Sequence, residues 1–454
     1  MLSSPNHLRQ QFQLLSIITV LWLAAAAGLQ ARTFYLAPGG NDRSPCRAGA
    51  EFATLARAVE CLAPGDTLFI RNGSYAGGVE IRVKASAERP VVVRGESLEA
   101  VIEGSADKPD AVRVEEASHI ILENFTARAA SRAGAAVRHS HDVKIIGCRF
   151  EDNGTWGIFT SFADDIHFEN NETCGSVRQH GIYHSNSGDR FVFRGNRVHD
   201  NSGNGIHLNG DPEIPGGDGV LNEGVVERNI IWGNGKSGGA GINMTHVHDV
   251  VVRNNILFNN LAGGITVYQD TGTFEQGSKR VVIIGNTVVF LGNLGRSGVN
   301  VQTTSEKVVV AGNIFISGGK RGNLEVNSDH LETVYSDFNL LWGIDPERCI
   351  ERKDEVLSLE RWRSLSMNDR HSLVADPLIM QNPLEPAYTP LDNSPVVDAG
   401  ISLVSLRTVL ERIGGCEWLL EKLAVLPQED FLGTARPLGN APDAGAIETG
   451  GETK

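Results

Sequence analysis

Basic residues are in short supply: 41 Lys and Arg face 55 Asp and Glu, leaving a formal charge of −14 over 454 residues. That balance excludes a protein held to nucleic acid or anionic lipid chiefly by its cations. After residue 30 no apolar run is long enough to span a bilayer. The six cysteines, at 46, 61, 148, 174, 349 and 416, contain neither a Cys-x-x-Cys pair nor a Cys/His spacing suited to zinc. EF-hand spacing is missing as well, and the 51 glycines keep no collagen-like period. What is present, 41% hydrophobic and 21% charged residues, is enough for a large buried core and argues against disorder.

The start of the chain has its own character. Arg9 precedes an apolar run from Leu14 to Leu29, and Gln30-Ala31 offers a small residue for cleavage. This pattern predicts a secretory signal over 1–31, with no membrane span left after its removal and a secreted, periplasmic or cell-surface protein. Export permits disulfides. Cys46 and Cys61 flank a short amphipathic pattern, Thr54 to Leu62, so a bridge between them is expected to pin a small helical cap within residues 32–89.

From residue 90 to 345 the chain repeats itself. Gly157-Ile158, Gly181-Ile182 and Gly205-Ile206 are 24 residues apart; Gly241-Ile242 follows after 36, Gly264-Ile265 after 23 and Gly298-Val299 after 34. The two long steps mark two inserted loops. Asparagine follows the same rhythm, with 22 of 31 lying between Asn153 and Asn327. One row runs Asn124, Cys148, Asn171, Asn196, Asn229, Asn255, Asn286, Asn313, and a second runs Asn153, Asn201, Asn234, Asn260. If each repeat is one turn of a solenoid, equivalent amides stack about 4.8 Å apart and hydrogen-bond up the stack.

This pattern resembles the β-helix repeats of pectate lyases, alginate lyases and mannuronan C5-epimerases. The resemblance implies an all-β fold, a right-handed single-stranded parallel β-helix of the pectin-lyase-like kind. The segments Thr33 to Asp42, Phe52 to Leu55 and Pro64 to Leu68 resemble the N-terminal cap of secreted bacterial β-helix proteins. Asp376-Pro377, Ser394 to Gly400 and Asp443 to Glu448 resemble their C-terminal extension, here 346–454. Within that extension, Val356 to Ser366 and Ser402 to Leu423 read as helical, the latter broken at Gly414-Gly415, and are expected to cover the open end of the stack. Where the epimerases carry their catalytic Asp-Pro-His-Asp, this chain reads Phe159-Thr160-Ser161-Phe162, so no catalytic residue is carried over from that family.

Alternation after each Gly sends Ile158, Ile182, Ile206, Ile242, Ile265 and Val299 inward and Phe159, Tyr183, His207, Asn243, Thr266 and Asn300 outward. A second outward column holds Ser161, Ser185, Asn209, Thr245, Tyr268 and Gln302. The insertions at Gly210–Glu223 and Gln269–Lys279 are expected to wall one groove beside these columns. His180, His184, His199 and His207 cluster within little more than one coil. His207, Tyr183 and His184 are the candidate catalytic residues, since removal and return of a proton suits His and Tyr. Asn209, Asn243, Tyr268, Gln269, Asp270 and Asn300 are candidate substrate contacts. Asp211, Asp218 and Glu223 are hard oxygen ligands that could hold Ca²⁺. The reading is a monomeric lyase acting on an acidic, uronic-acid polysaccharide by β-elimination. A glycoside hydrolase of polygalacturonase-like type and a non-catalytic polysaccharide-binding or surface protein stand as alternatives.

Overall fold

The structure, a computed structural model, describes residues 30–449 apart from 293, 318–320, 344, 346 and 382–387. The expected signal therefore lies outside the described residues. Three long sheets of 13, 12 and 12 strands run through residues 33–374. A typical coil contributes Val247–Arg253 to the first sheet, Ile256–Phe258 to the second and Gly263–Tyr268 to the third. Each strand pairs in parallel with its equivalent one coil on: Ile206 faces Ile242, which faces Ile265, which faces Val299. The coils begin earlier than the sequence repeat suggests, since Thr33–Leu36 already lies in the first sheet.

The glycine row has a steric cause. A Cβ on Gly205 would lie 2.6 Å from the Gly241 carbonyl oxygen, and one on Gly264 2.2 Å from that of Gly298. The corner between first and second sheets needs a left-handed residue, supplied by Asn170 (φ 55°), Asn254 (φ 52°) or a glycine such as Gly285 (φ 61°). Inside, the six Ile/Val residues after the glycines are all 0% exposed, as are Leu208, Met244, Val267 and Val301. Buried area of this kind supplies most of the folding free energy.

Right after the corner, the amides stack. Asn171, Asn196, Asn229, Asn255, Asn286, Asn313 and Asn339 form one run in which each Oδ1 accepts from the backbone N–H and Nδ2 of the one before, at 2.9–3.1 Å. Asn201, Asn234 and Asn260 form the second run. Asn124 is not a member. It is the left-handed corner residue (φ 57°), and Phe125 holds the position equivalent to Cys148.

Among the described residues the α-helices are α1 (Leu55–Glu60), α2 (Leu359–Ser366), α3 (Leu403–Ile413) and α4 (Glu417–Val425). The Cys46–Cys61 disulfide is present, and Leu55 and Ala58 of α1 pack into the main core. Cys148, Cys174 and Cys416 carry no disulfide. α2 does close the far end, its Trp362 0% exposed in the solenoid core. α3 and α4 do not. They lie on the flank of the first sheet, where Leu406, Leu410, Leu419 and Leu423 pack on outward Val225, Val251, Val282 and Val309. Those valines make the strands apolar on both faces, and a two-sided apolar strand demands cover. Residues of the extension also cover outward Ile256 and Val289 of the second sheet, while the third sheet beside them keeps outward Asn243, Thr266 and Asn300.

Candidate functional site

The third sheet places Tyr183 on Ile182–Ser185 and His207 beside it on Ile206–Asn209, in direct register. Both point outward, as alternation requires, and their rings stack at 5.0 Å with planes 19° apart. The Tyr183 hydroxyl donates to Asp211 Oδ2 at 3.1 Å and accepts from Asn209 Nδ2 at 3.2 Å. Burial first, then the negative charge of Asp211, pushes the Tyr183 phenol well above its ordinary range, so it stays protonated at neutral pH.

Beneath this pair runs a chain of histidines whose tautomers are fixed by a backbone donor. The Asn204 N–H donates to Nδ1 of His180 at 3.0 Å, so the His180 proton sits on Nε2. That proton points at Nδ1 of His207, 3.1 Å away, which leaves the His207 proton on its own Nε2. Among the described residues no group accepts from this Nε2, and it is closed off from solvent. Burial holds His180 down to about 4 and His207 well below its usual value, the latter also through its neighbour His180. His207 is thus a neutral ring backing Tyr183, not an exposed base.

His184 belongs to the interior. It is 0% exposed in the inward column of Leu208 and Met244, its Nδ1 lies 2.6 Å from Thr160 Oγ1, and its ring packs on Phe191 and Phe193. Period-two alternation put it there, and a buried ring at that place cannot meet a polymer on the outer face. His199, on the second sheet, bonds Glu172 and Asp200 and stacks on Trp232.

The two insertions sit at one corner and touch: Gln276 Nε2 donates to the Asp218 carbonyl at 2.8 Å, making a single wall along the third sheet. Buried His246 ties the second loop down, with Nδ1 2.9 Å from the Gln276 carbonyl and Nε2 2.8 Å from Asp270 Oδ1. Asp270 is therefore committed to the loop anchor. Gln269 is spent on the carbonyls of Thr271 and Thr273 in its own loop and on the Thr304 hydroxyl of the next coil. Tyr268 accepts from Asn243 Nδ2 at 3.2 Å, and its phenol is raised by burial. Asn209, Asn243 and Asn300 are only 9%, 6% and 9% exposed. Asp218 Oδ1 accepts from the Val220 N–H, while Glu223 lies on the strand Leu221–Glu227. Among the described residues no group of three or more His, Cys, Asp or Glu is placed to hold a metal, so Asp211, Asp218 and Glu223 do not assemble as a ligand set.

Sequence reasoning passed over Trp156, Gln179 and Asn204. The strand starts at Trp156, one residue before the glycine from which alternation was counted, so this ring joins the face unannounced. Its centroid is 4.4 Å from Phe159, with planes 16° apart.

An outward face with a walled groove, on a parallel solenoid with an amide ladder, defines a parallel β-helix with an open groove. Residues 34–280 match the family described as Pel9A-like, right handed beta helix region, and the chain belongs to that family. A pectate lyase, PEL9 of Emericella nidulans, is 25% identical over 153 residues, 33% of this chain and 35% of the relative. The chain thus matches about a third of that relative's length. The crystal structure of pectate lyase Pel9A is 16% identical with a TM-score of 0.56, covering 93% of this chain and 98% of its own. The complex of XylC with xylose is 10% identical with a TM-score of 0.51, covering 92% and 99%. At these identities the likeness to solved structures is one of fold. No described helix is long and apolar enough to cross a membrane.

Proposed function

We propose that the chain is exported and cleaves a uronic-acid polysaccharide by β-elimination in the groove over Tyr183. One observation carries the reading: a phenol kept protonated is hydrogen-bonded to a carboxylate, Asp211, on the open face beside the loop wall. In this mechanism Asp211 takes the C5 proton, the C4–O bond breaks as the C4–C5 double bond forms, and Tyr183 gives its proton to the leaving oxygen. The proton on Asp211 then returns to the phenolate along their shared hydrogen bond, which resets the pair. Carboxylates remove protons next to carbonyl groups in other enzymes by the same chemistry. Asn209 holds the phenol in place, and the stacked His207 fixes its ring. A hydrolase would need two free carboxylates about 5–9.5 Å apart. Asp270, one second candidate on the wall, is already held by His246. The Cys46–Cys61 bridge supports an oxidising, extracytoplasmic setting.

The test follows ultraviolet absorbance of unsaturated product and new reducing ends together, on pectic, alginate and glycosaminoglycan polymers. Each is run with and without Ca²⁺, which separates neutralisation of the uronate by protein from neutralisation by metal. Both signals should rise on one polymer class, and Tyr183→Phe should cost about 10²–10⁴-fold in kcat, the usual worth of a general acid. Reducing ends without absorbance would replace the lyase by a hydrolase.

A further inference from the structure

On the N-terminal side of Tyr183 the face changes from polar to aromatic. Trp156 stacks on Phe159, Phe159 lies 5.7 Å from Tyr183, Trp156 lies 5.6 Å from Tyr183, and Tyr183 continues to His207. All of these rings are half-buried, so their remaining surface forms one strip across three coils. The preceding coil puts the small residues Ala133 and Ala136 in register with Trp156 and Phe159. The indole is locked by its Nε1–H, which donates to Gln179 Oε1 at 2.8 Å. Nearby, Arg113 and Arg132 are paired with Asp110, while exposed Arg178 hydrogen-bonds Thr155 Oγ1 and the Ser131 carbonyl, both neutral. The core does not require these rings, because Ile158 and Thr160 of the same strand fill it. A contiguous strip of half-exposed aromatics running into a reactive pair is a binding surface.

We infer that Trp156 and Phe159 form a sugar-stacking subsite adjoining Tyr183, which takes a pyranose by its C–H face and aligns the polysaccharide along the solenoid axis. The proposal rests on the reading of Tyr183 and Asp211 as the cleavage centre and deepens it. One coil, about 4.8 Å, separates the subsite from Tyr183, a step comparable to a single sugar residue. Aromatic rings grip the C–H face of a sugar and not its carboxylate, so a neutral or esterified residue is accepted there.

The experiment compares wild type with Trp156→Ala, Trp156→Phe and Phe159→Leu, all as full chains. Steady-state kinetics are taken on the polymer that is cleaved, at low and high salt. In parallel, migration is measured through native gels containing polygalacturonate, methyl-esterified pectin, alginate or xylan. Trp156→Ala should raise KM about tenfold while kcat falls less, Trp156→Phe should recover most of the loss, and the KM ratio should stay constant with salt because stacking is not screened as ion pairing is. Retardation by esterified pectin should weaken along with retardation by polygalacturonate. An unchanged KM in both Trp156→Ala and Phe159→Leu, or a loss that vanishes at high salt, overturns the subsite and leaves the lyase reading intact. If no polymer is cleaved, the lyase reading fails. The gels then decide the subsite alone: slower migration of wild type, lost in Trp156→Ala, sustains it, and no retardation of wild type by any polymer overturns it.

Discussion

A histidine in this chain is informative mainly through the place its ring is forced to occupy. His184 falls on the inward phase of its strand and is enclosed by Phe191 and Phe193, and burial drives its pKa down to about 3. Its unfolded value is near 6.5. Above that pH both states are neutral and the group costs nothing. As pH falls from 6.5 toward 3 the unfolded chain takes up a proton that the folded one refuses, so stability is lost across that window. His180, held near 4, adds a loss of the same sign between 6.5 and 4. Replacing His184 by Leu, the residue beneath it in the column, should shrink the difference in unfolding free energy between pH 7 and pH 5 by about 2 kcal/mol. Urea melts of both proteins at the two pH values check this. An unchanged difference would mean that the ring is protonated inside the fold.

At the level of the element, the coil was legible and its edges were not. The Gly-Ile spacing gave the inward residues correctly because a missing Cβ is a steric demand that every coil repeats. The amide row was right from Asn171 onward. It failed at Asn124 because 24-residue spacing continues to fit when the corner residue is mistaken for its neighbour; Asn also suits the left-handed corner. Among site residues, Tyr183, His207 and Asp211 were within reach of alternation and loop position. The His180–His207 chain was not, because the Asn204 N–H that sets it comes from a turn with no periodic signal. The ladder makes a sharp prediction. Asn229→Ala removes the acceptor of the Asn196 N–H and Nδ2 and the donor to the Phe193 carbonyl, all buried. At about 1–3 kcal/mol for each unsatisfied group, the variant should lose at least about 3 kcal/mol, read as a lowered denaturant midpoint. A midpoint within error of wild type would show that the stack contributes alignment without stability.

For the molecule as a whole, the C-terminal extension decides which face of the C-terminal coils is free. The first-sheet strands Val247–Arg253, Lys279–Ile284 and Glu306–Ala311 carry consecutive valines and isoleucines, a two-sided apolar signature that announces a covered sheet. Reading α3 and α4 as an end cap overlooked it: α2 had already supplied the plug, and the valine flank was the larger unmet demand. The helices cover the C-terminal coils of the first sheet, and Tyr388, Ala446 and Ile447 cover Ile256 and Val289 of the second, so over these coils the third sheet keeps an open outer face. Charging the seam should separate cover from solenoid. Leu410 and Leu419 are both 0% exposed against the flank, so Leu410→Asp with Leu419→Asp should detach the helices, expose Val225, Val251, Val282 and Val309, and make the protein bind a hydrophobic dye and self-associate. Because coils are held by their neighbours in a quasi-one-dimensional stack, the β-sheet circular dichroism and the third-sheet groove should survive, and cleavage per soluble monomer should persist. Loss of the sheet signal together with activity would instead make the extension part of the folding unit, and the solenoid of residues 33–374 would then be unable to stand without it.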